Sequence, residues 1–150
     1  MGQTTETSAI AFGPQLIGRT EKALNALLDR QLAGTGLIEP QWVALTLTVG
    51  SGGAVPGETL VDRISGALKV DQATTHRLVG ELAAVDLVRT TEAGVIVATE
   101  AGERRWRAVR AGIVPLTEEL WGDLAETELK VASRVLNTIL ARADAMLATT

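Results

Sequence analysis

The sequence predicts a mainly α domain in which a helix-turn-helix leads into a short β-hairpin, with long apolar helices on both sides. Three observations carry that expectation. Apolar residues recur at helical spacing through most of the 150 residues. Within 57–85, two such stretches are separated only by Lys69-Val-Asp71, room for a tight turn and nothing more. Two short β-like runs follow, Leu87 to Thr90 and Val95 to Ala98, around a turn that ends in Gly94.

Each element has its own signals. From Pro14 to Leu32, the positions Leu16/Ile17, Leu24, Leu27/Leu28 and Leu32 form one stripe, and Gly34-Thr-Gly36 ends it. Pro40 suits the first turn of a second helix through Trp42, Leu45 and Val49. Gly50-Ser-Gly-Gly-Ala-Val-Pro-Gly57 is a loop. A third helix, Glu58 to Leu68, carries Leu60, Val61, Ile64 and Leu68 on one face. Asp71 is the expected N-cap of a fourth helix, Gln72 to about Val85, with Thr75, Leu78, Val79 and Leu82 inward. After the hairpin, Thr99 caps a long fifth helix through Trp106, Val109 and Ile113, with a kink expected at Pro115. Gly122-Asp-Leu124 interrupts the pattern, and a last helix runs from about Glu126 to Leu147. Three helices and a hairpin make a winged helix-turn-helix. Long apolar helices at both chain ends are what a dimer needs. The expected layout is therefore one winged-helix domain over 1–150, with dimerisation helices at 14–34 and 112–148 around a lobe at 39–105. The first residues, up to 13, are expected to fray.

Composition narrows the function. There is no cysteine, which excludes disulfides, Cys-ligated zinc, iron–sulfur clusters and thiol redox sensing. The one histidine, His76, rules out a His-rich metal site within the chain and has no visible catalytic companion, so neither an enzyme nor a cofactor is expected. Phe12, Trp42, Trp106 and Trp121 are too few aromatics for a base-stacking sheet. The stretch Gly52 to Thr59 nearly matches a phosphate loop, but Glu58 stands where the lysine is needed and no strand precedes it. Residues 1–8 lack the basic start and apolar run of a secretory leader, and no apolar run reaches membrane-spanning length. A cytoplasmic protein without membrane contact is expected. A mean hydropathy of +0.20 points to apolar surface buried between copies.

The net charge is −4, from 14 Lys/Arg and 18 Asp/Glu. The acidic excess sits at the ends, and residues 40–110 are balanced with eight of each sign. Such a module can bind double-stranded DNA if its cations share one face. The second helix of a helix-turn-helix offers its first turns to base edges, and here it opens Asp71-Gln-Ala-Thr-Thr-His-Arg77. Gln72, Thr74, His76 and Arg77 can all hydrogen-bond bases or phosphates. Arg63 and Arg89 are the candidate phosphate contacts beside them. Arg104, Arg105, Arg107 and Arg110 form the densest basic cluster, but pairing with Glu100 and Glu103 along a solvated face explains it equally simply. Trp42 is the candidate ligand-binding residue, a large apolar surface with one donor; core packing is its competing role.

In this order the motifs resemble the MarR family of bacterial transcriptional regulators. Ile38-Glu-Pro-Gln-Trp-Val-Ala-Leu45 resembles the family's Leu-Thr-x-x-Gln-Trp-x-x-Leu helix. Asp71-Gln-Ala-Thr-Thr-His-Arg-Leu-Val79 resembles its Asp-Arg-Ser-Thr-Val-Ser-Arg-Leu-Val recognition helix. Leu82 through Asp86-Leu-Val-Arg89 resembles the entry into the wing, and Val97-Ala-Thr-Glu-Ala-Gly102 the exit from it. Leu124-Ala-Glu-Thr-Glu-Leu129 resembles the start of the last dimer helix. The resemblance implies a homodimer with one recognition helix in each half of a pseudo-palindromic operator. It also implies a repressor released from DNA when a small aromatic effector binds.

The chain departs from the family pattern at three places. The wing, Arg89-Thr-Thr-Glu-Ala-Gly-Val95, is short and carries Glu92 at its tip instead of a groove-entering arginine. Asp86 replaces the usual glycine, and Gln72 replaces the usual arginine. All three lower the attraction for DNA, so a winged-helix protein with weak or lost DNA binding, acting through ligand or protein contacts, is the alternative.

Overall fold

The computed structural model describes residues 9–149; the expectations for the leader at 1–8 and the start of the frayed segment lie outside them. The elements follow the chain as α1 (Pro14–Leu32), α2 (Glu39–Ser51), α3 (Gly57–Leu68), α4 (Gln72–Ala84), β1 (Val88–Thr90), β2 (Ile96–Ala98), α5 (Glu100–Trp121) and α6 (Glu126–Ala148). By its internal contacts the chain forms two compact units, one up to Ile113 and one from Val114.

The first unit is built around α2. This helix is apolar on more than one side, as a central helix must be, and buries Trp42, Ala44, Leu45 and Thr48. The Thr48 hydroxyl is satisfied within the helix, donating to the Ala44 carbonyl at 2.7 Å. Pro40 lies in the first turn, where its missing N–H costs nothing. The Gln41 side chain accepts from the Ile38 N–H at 3.1 Å and donates to Glu81 of α4 at 2.8 Å, tying the start of α2 to α4. Around α2 the core gathers Leu37, Leu60, Val61, Ile64, Leu82, Leu87, Val88, Ile96 and Val109.

The α3–α4 pair is the helix-turn-helix. Asp71 caps α4 by accepting from the Thr74 N–H at 2.7 Å. That hydrogen bonding, from the Thr74 side chain and backbone, holds the Asp71 carboxyl below its ordinary pKa. Thr75, Leu78 and Leu82 face inward, as their spacing predicts. Strands β1 and β2 pair antiparallel, with Val88 opposite Ala98, Arg89 opposite Val97 and Thr90 opposite Ile96. The Thr99 hydroxyl accepts from the Gly102 N–H at 3.0 Å and donates to the Asp86 carbonyl at 2.5 Å, so the cap of α5 is tied to the root of the wing.

Asp86 has a left-handed backbone, φ 61°. That region of backbone conformation favours glycine. Asp tolerates this region better than most residues, at a cost of order 1 kcal/mol. Asp86→Gly is expected to raise stability by roughly 0.5 kcal/mol, relief of strain outweighing the extra freedom of an unfolded glycine. The midpoint of urea unfolding measures it, and a lowered midpoint rejects the strain.

In the second unit, Pro115 lies inside α5, which continues to Trp121. Gly122 through Leu124 then close a turn, with the Gly122 N–H donating to the Glu118 carbonyl at 2.9 Å. No residue of α6 is buried.

Candidate nucleic-acid interface

The interface begins with the corner between α3 and α4. Two polar rungs cross it, each three residues further along its helix. One joins the Ser65 and Thr75 hydroxyls at 2.7 Å, with Thr75 fully buried. The other is a hydrogen bond from the Gln72 amide Nε2 to the Asp62 carboxylate. Together they fix the distance and rotation of α4 relative to α3.

Gln72, His76 and Arg77 are exposed on α4, and Thr74 is half-buried beside them. The Arg77 guanidinium lies 3.4 Å from the Thr74 hydroxyl, one turn back along the helix. Three of the four predicted base-reading residues are therefore exposed on one helix, with Thr74 at the margin of its buried side, although Gln72 already has a partner. Arg63 is exposed on α3 and Arg89 on β1, so the phosphate candidates come from elements on either side of α4.

The wing is short and tied down. Within its tip the Thr91 N–H donates to Val95 at 2.8 Å and the Gly94 N–H to Thr91 at 2.9 Å. Gly94 supplies the positive φ, 79°, that this turn requires. The Gly94 carbonyl then accepts from the Gly57 N–H at 3.1 Å, joining the wing tip to the first residue of α3. A side chain at position 57 would come within 2.5 Å of that carbonyl, so the closeness of the wing depends on Gly57. Glu92 is exposed at the tip.

The basic cluster on α5 is largely occupied. Arg104 lies 3.6 Å from Glu100, and Arg105 donates to the Thr35 carbonyl. Arg110 stacks over Trp106 at 5.3 Å, within cation–π range. Trp42 is a core residue, 9% exposed, with its ring stacked on Trp106 at 6.4 Å between centroids. The Trp106 indole donates to Thr46 at 3.2 Å. Residues that could group to hold a metal ion are lacking among the described residues. No described helix is long and apolar enough to cross a membrane.

This arrangement of helices and hairpin recurs in solved structures. A MarR-family transcriptional regulator from Silicibacter pomeroyi matches with a TM-score of 0.73 at 22% identity, over 89% of this chain and 90% of that one. The chain has the MarR winged-helix fold. CouR from Rhodococcus jostii RHA1, solved with bound p-coumaroyl-CoA, matches this MarR fold with a TM-score of 0.72 at 21% identity, over 83% and 89% of the two chains. A Mycobacterium tuberculosis MarR-family protein in complex with DNA gives 0.64 at 17% identity, over 87% and 98%. No family model matches the sequence, and no curated protein matches it.

Asp62, the hydrogen-bond partner of Gln72, is the residue of this candidate site that sequence reasoning missed. It lies outside the recognition helix, and a carboxylate beside DNA reads as an obstacle. Its matched three-residue spacing with Ser65, against Gln72 and Thr75, was the available signal.

Proposed function

We propose that the chain is a DNA-binding transcriptional regulator, a cytoplasmic homodimer that reads a pseudo-palindromic operator as a repressor. The observation that carries this is the exposed row Gln72, His76 and Arg77 with Thr74 at the start of α4, on the second helix of a braced helix-turn-helix. Side chains at these positions can reach base edges in the major groove. Arg63 and Arg89 hold phosphates. A small aromatic effector releases the protein; Trp42, packed in the core against Trp106, is not proposed as its contact. CouR with its bound p-coumaroyl-CoA and the mycobacterial protein with its DNA are the precedents in this fold.

The test is binding to the DNA upstream of the protein's own gene, titrated against salt. Specific binding should weaken as salt rises, with a slope of about 0.9 per phosphate contact. Arg77→Ala should cost roughly 1–3 kcal/mol of specific affinity. Unchanged operator affinity in that variant removes Arg77 from the interface.

The wing favours a second reading. Its tip carries Glu92, is anchored to Gly57, and offers no cation to the minor groove. A winged-helix protein acting through ligand or protein contacts fits that feature. Failure to bind either the upstream DNA or a randomised pool at low salt selects it.

A further inference from the structure

We propose that Asp62 is a positioning residue that sets the base preference of Gln72, turning that side chain into a reader of adenine over guanine. The proposal rests on the DNA-binding reading above.

The chemistry begins with the Asp62–Gln72 hydrogen bond. An ionised carboxylate only accepts, so the atom facing it must be the amide nitrogen. That contact fixes the sense of the Gln72 amide, which an exposed glutamine with three rotatable bonds otherwise leaves open. It uses one of the two amide hydrogens. What stays available is one acceptor, Oε1, beside one remaining N–H donor.

Adenine presents N7 as an acceptor and N6 as a donor in the major groove, the complement of that pair. Guanine presents two acceptors, N7 and O6, one of which would face Oε1. An amide held in one sense therefore separates the two purines. A free amide can rotate and find partial partners on either.

The anchor itself is held in place. The Ser65–Thr75 contact at 2.7 Å lies three residues further along both helices, with Thr75 buried, so α3 and α4 cannot slide apart at this corner. Asp62 and Gln72 are both exposed, so the pair forms on the solvent side of the corner. There the Asp62 charge also repels DNA phosphates. Removing Asp62 should thus raise affinity for any DNA while lowering selectivity. A residue that acts only through charge changes affinity alone, and a purely structural one lowers both together.

The experiment is selection of double-stranded DNA from a randomised pool by the full-length protein. It is followed by competition between adenine and guanine at the half-site position that Gln72→Ala makes indifferent. Wild type should prefer adenine there by on the order of tenfold or more. Asp62→Ala should bring the preference to within about twofold while strengthening binding to unrelated DNA. Asp62→Asn keeps the size of the side chain but can donate as well as accept, so it no longer fixes the sense of the amide and should lose the adenine preference as Asp62→Ala does. Matching helical circular dichroism and melting of the variants shows that all are folded. If wild type binds and Asp62→Ala keeps the wild-type preference, the positioning role is wrong and the DNA-binding reading stands. Guanine preference in wild type, or no position that responds to Gln72→Ala, also overturns it. If wild type retains no sequence from the pool, the DNA-binding reading falls and this inference falls with it.

Discussion

Gly102→Ala is expected to destabilise the first unit by about 3 kcal/mol, near the upper end for forcing extra volume into a packed site. Gly102 is buried in the first turn of α5, over the root of the wing. A Cβ there would lie 1.9 Å from the Leu87 carbonyl oxygen and 2.9 Å from its carbon. Both are backbone atoms of a buried residue, so no rotamer change relieves the clash. The Leu87 carbonyl also accepts from the Thr99 N–H at 3.0 Å, and the Thr99 hydroxyl accepts from Gly102 itself. Moving α5 away therefore breaks its own cap. For a domain of this size the melting temperature should fall by roughly 10 °C. Gly66→Ala is the matched control. It lies within α3 with nothing within 4 Å of its added carbon, so it should gain up to about 1 kcal/mol from helix propensity. Equal melting of Gly102→Ala and wild type would show that α5 and the wing are not packed this tightly.

The contrast between these two glycines shows where the sequence is legible. Helix α4 was readable because its signals are local. Asp71 precedes it, Thr75, Leu78 and Leu82 recur at helical spacing, and the structure caps and buries those residues. The hairpin was readable because Gly94 has to supply a positive φ in its turn. The Arg104–Glu100 pair at 3.6 Å was equally local, four residues apart on one helix. What was not readable depends on elements meeting. Arg105 reaches the Thr35 carbonyl seventy positions away, and Arg110 covers Trp106. Both uses take these cations partly out of the supply for phosphates, and neither leaves a mark in the spacing. The wing tip is the same case. Glu92 revealed its charge, but the bond from Gly57 to Gly94 needs the loop before α3 to pass the hairpin. Asp86 shows a third kind of limit. Read as sequence, it is a charge in place of a glycine; in the structure it is chiefly a backbone conformation, φ 61°, kept at some cost.

Glutamate at both Leu136 and Leu140 is expected to convert the proposed dimer into a monomer and to abolish the proposed operator binding with it. Helix α6 carries an apolar stripe through Leu129, Ala132, Leu136, Leu140 and Ala143, yet no residue of it is buried in the single chain. Leu136 is 48% exposed and Leu140 is 53% exposed. Burying a leucine is worth about 1.5–3 kcal/mol, and roughly half of that remains to be gained at each site. A two-fold interface contains each residue twice. The four leucines together then contribute about 3–6 kcal/mol, or roughly a hundredfold to ten-thousandfold in the dimer dissociation constant. Glutamate loses that contribution and adds like charges facing across the axis. Because these side chains are not core, the variant should keep its helical circular dichroism while sedimentation equilibrium reports half the mass. Operator binding follows, since two recognition helices must be held about 34–36 Å apart to enter successive major grooves. A variant that stays dimeric places the interface on another face. A variant that becomes monomeric and still binds the full operator with wild-type affinity removes the dimer from the mechanism of recognition.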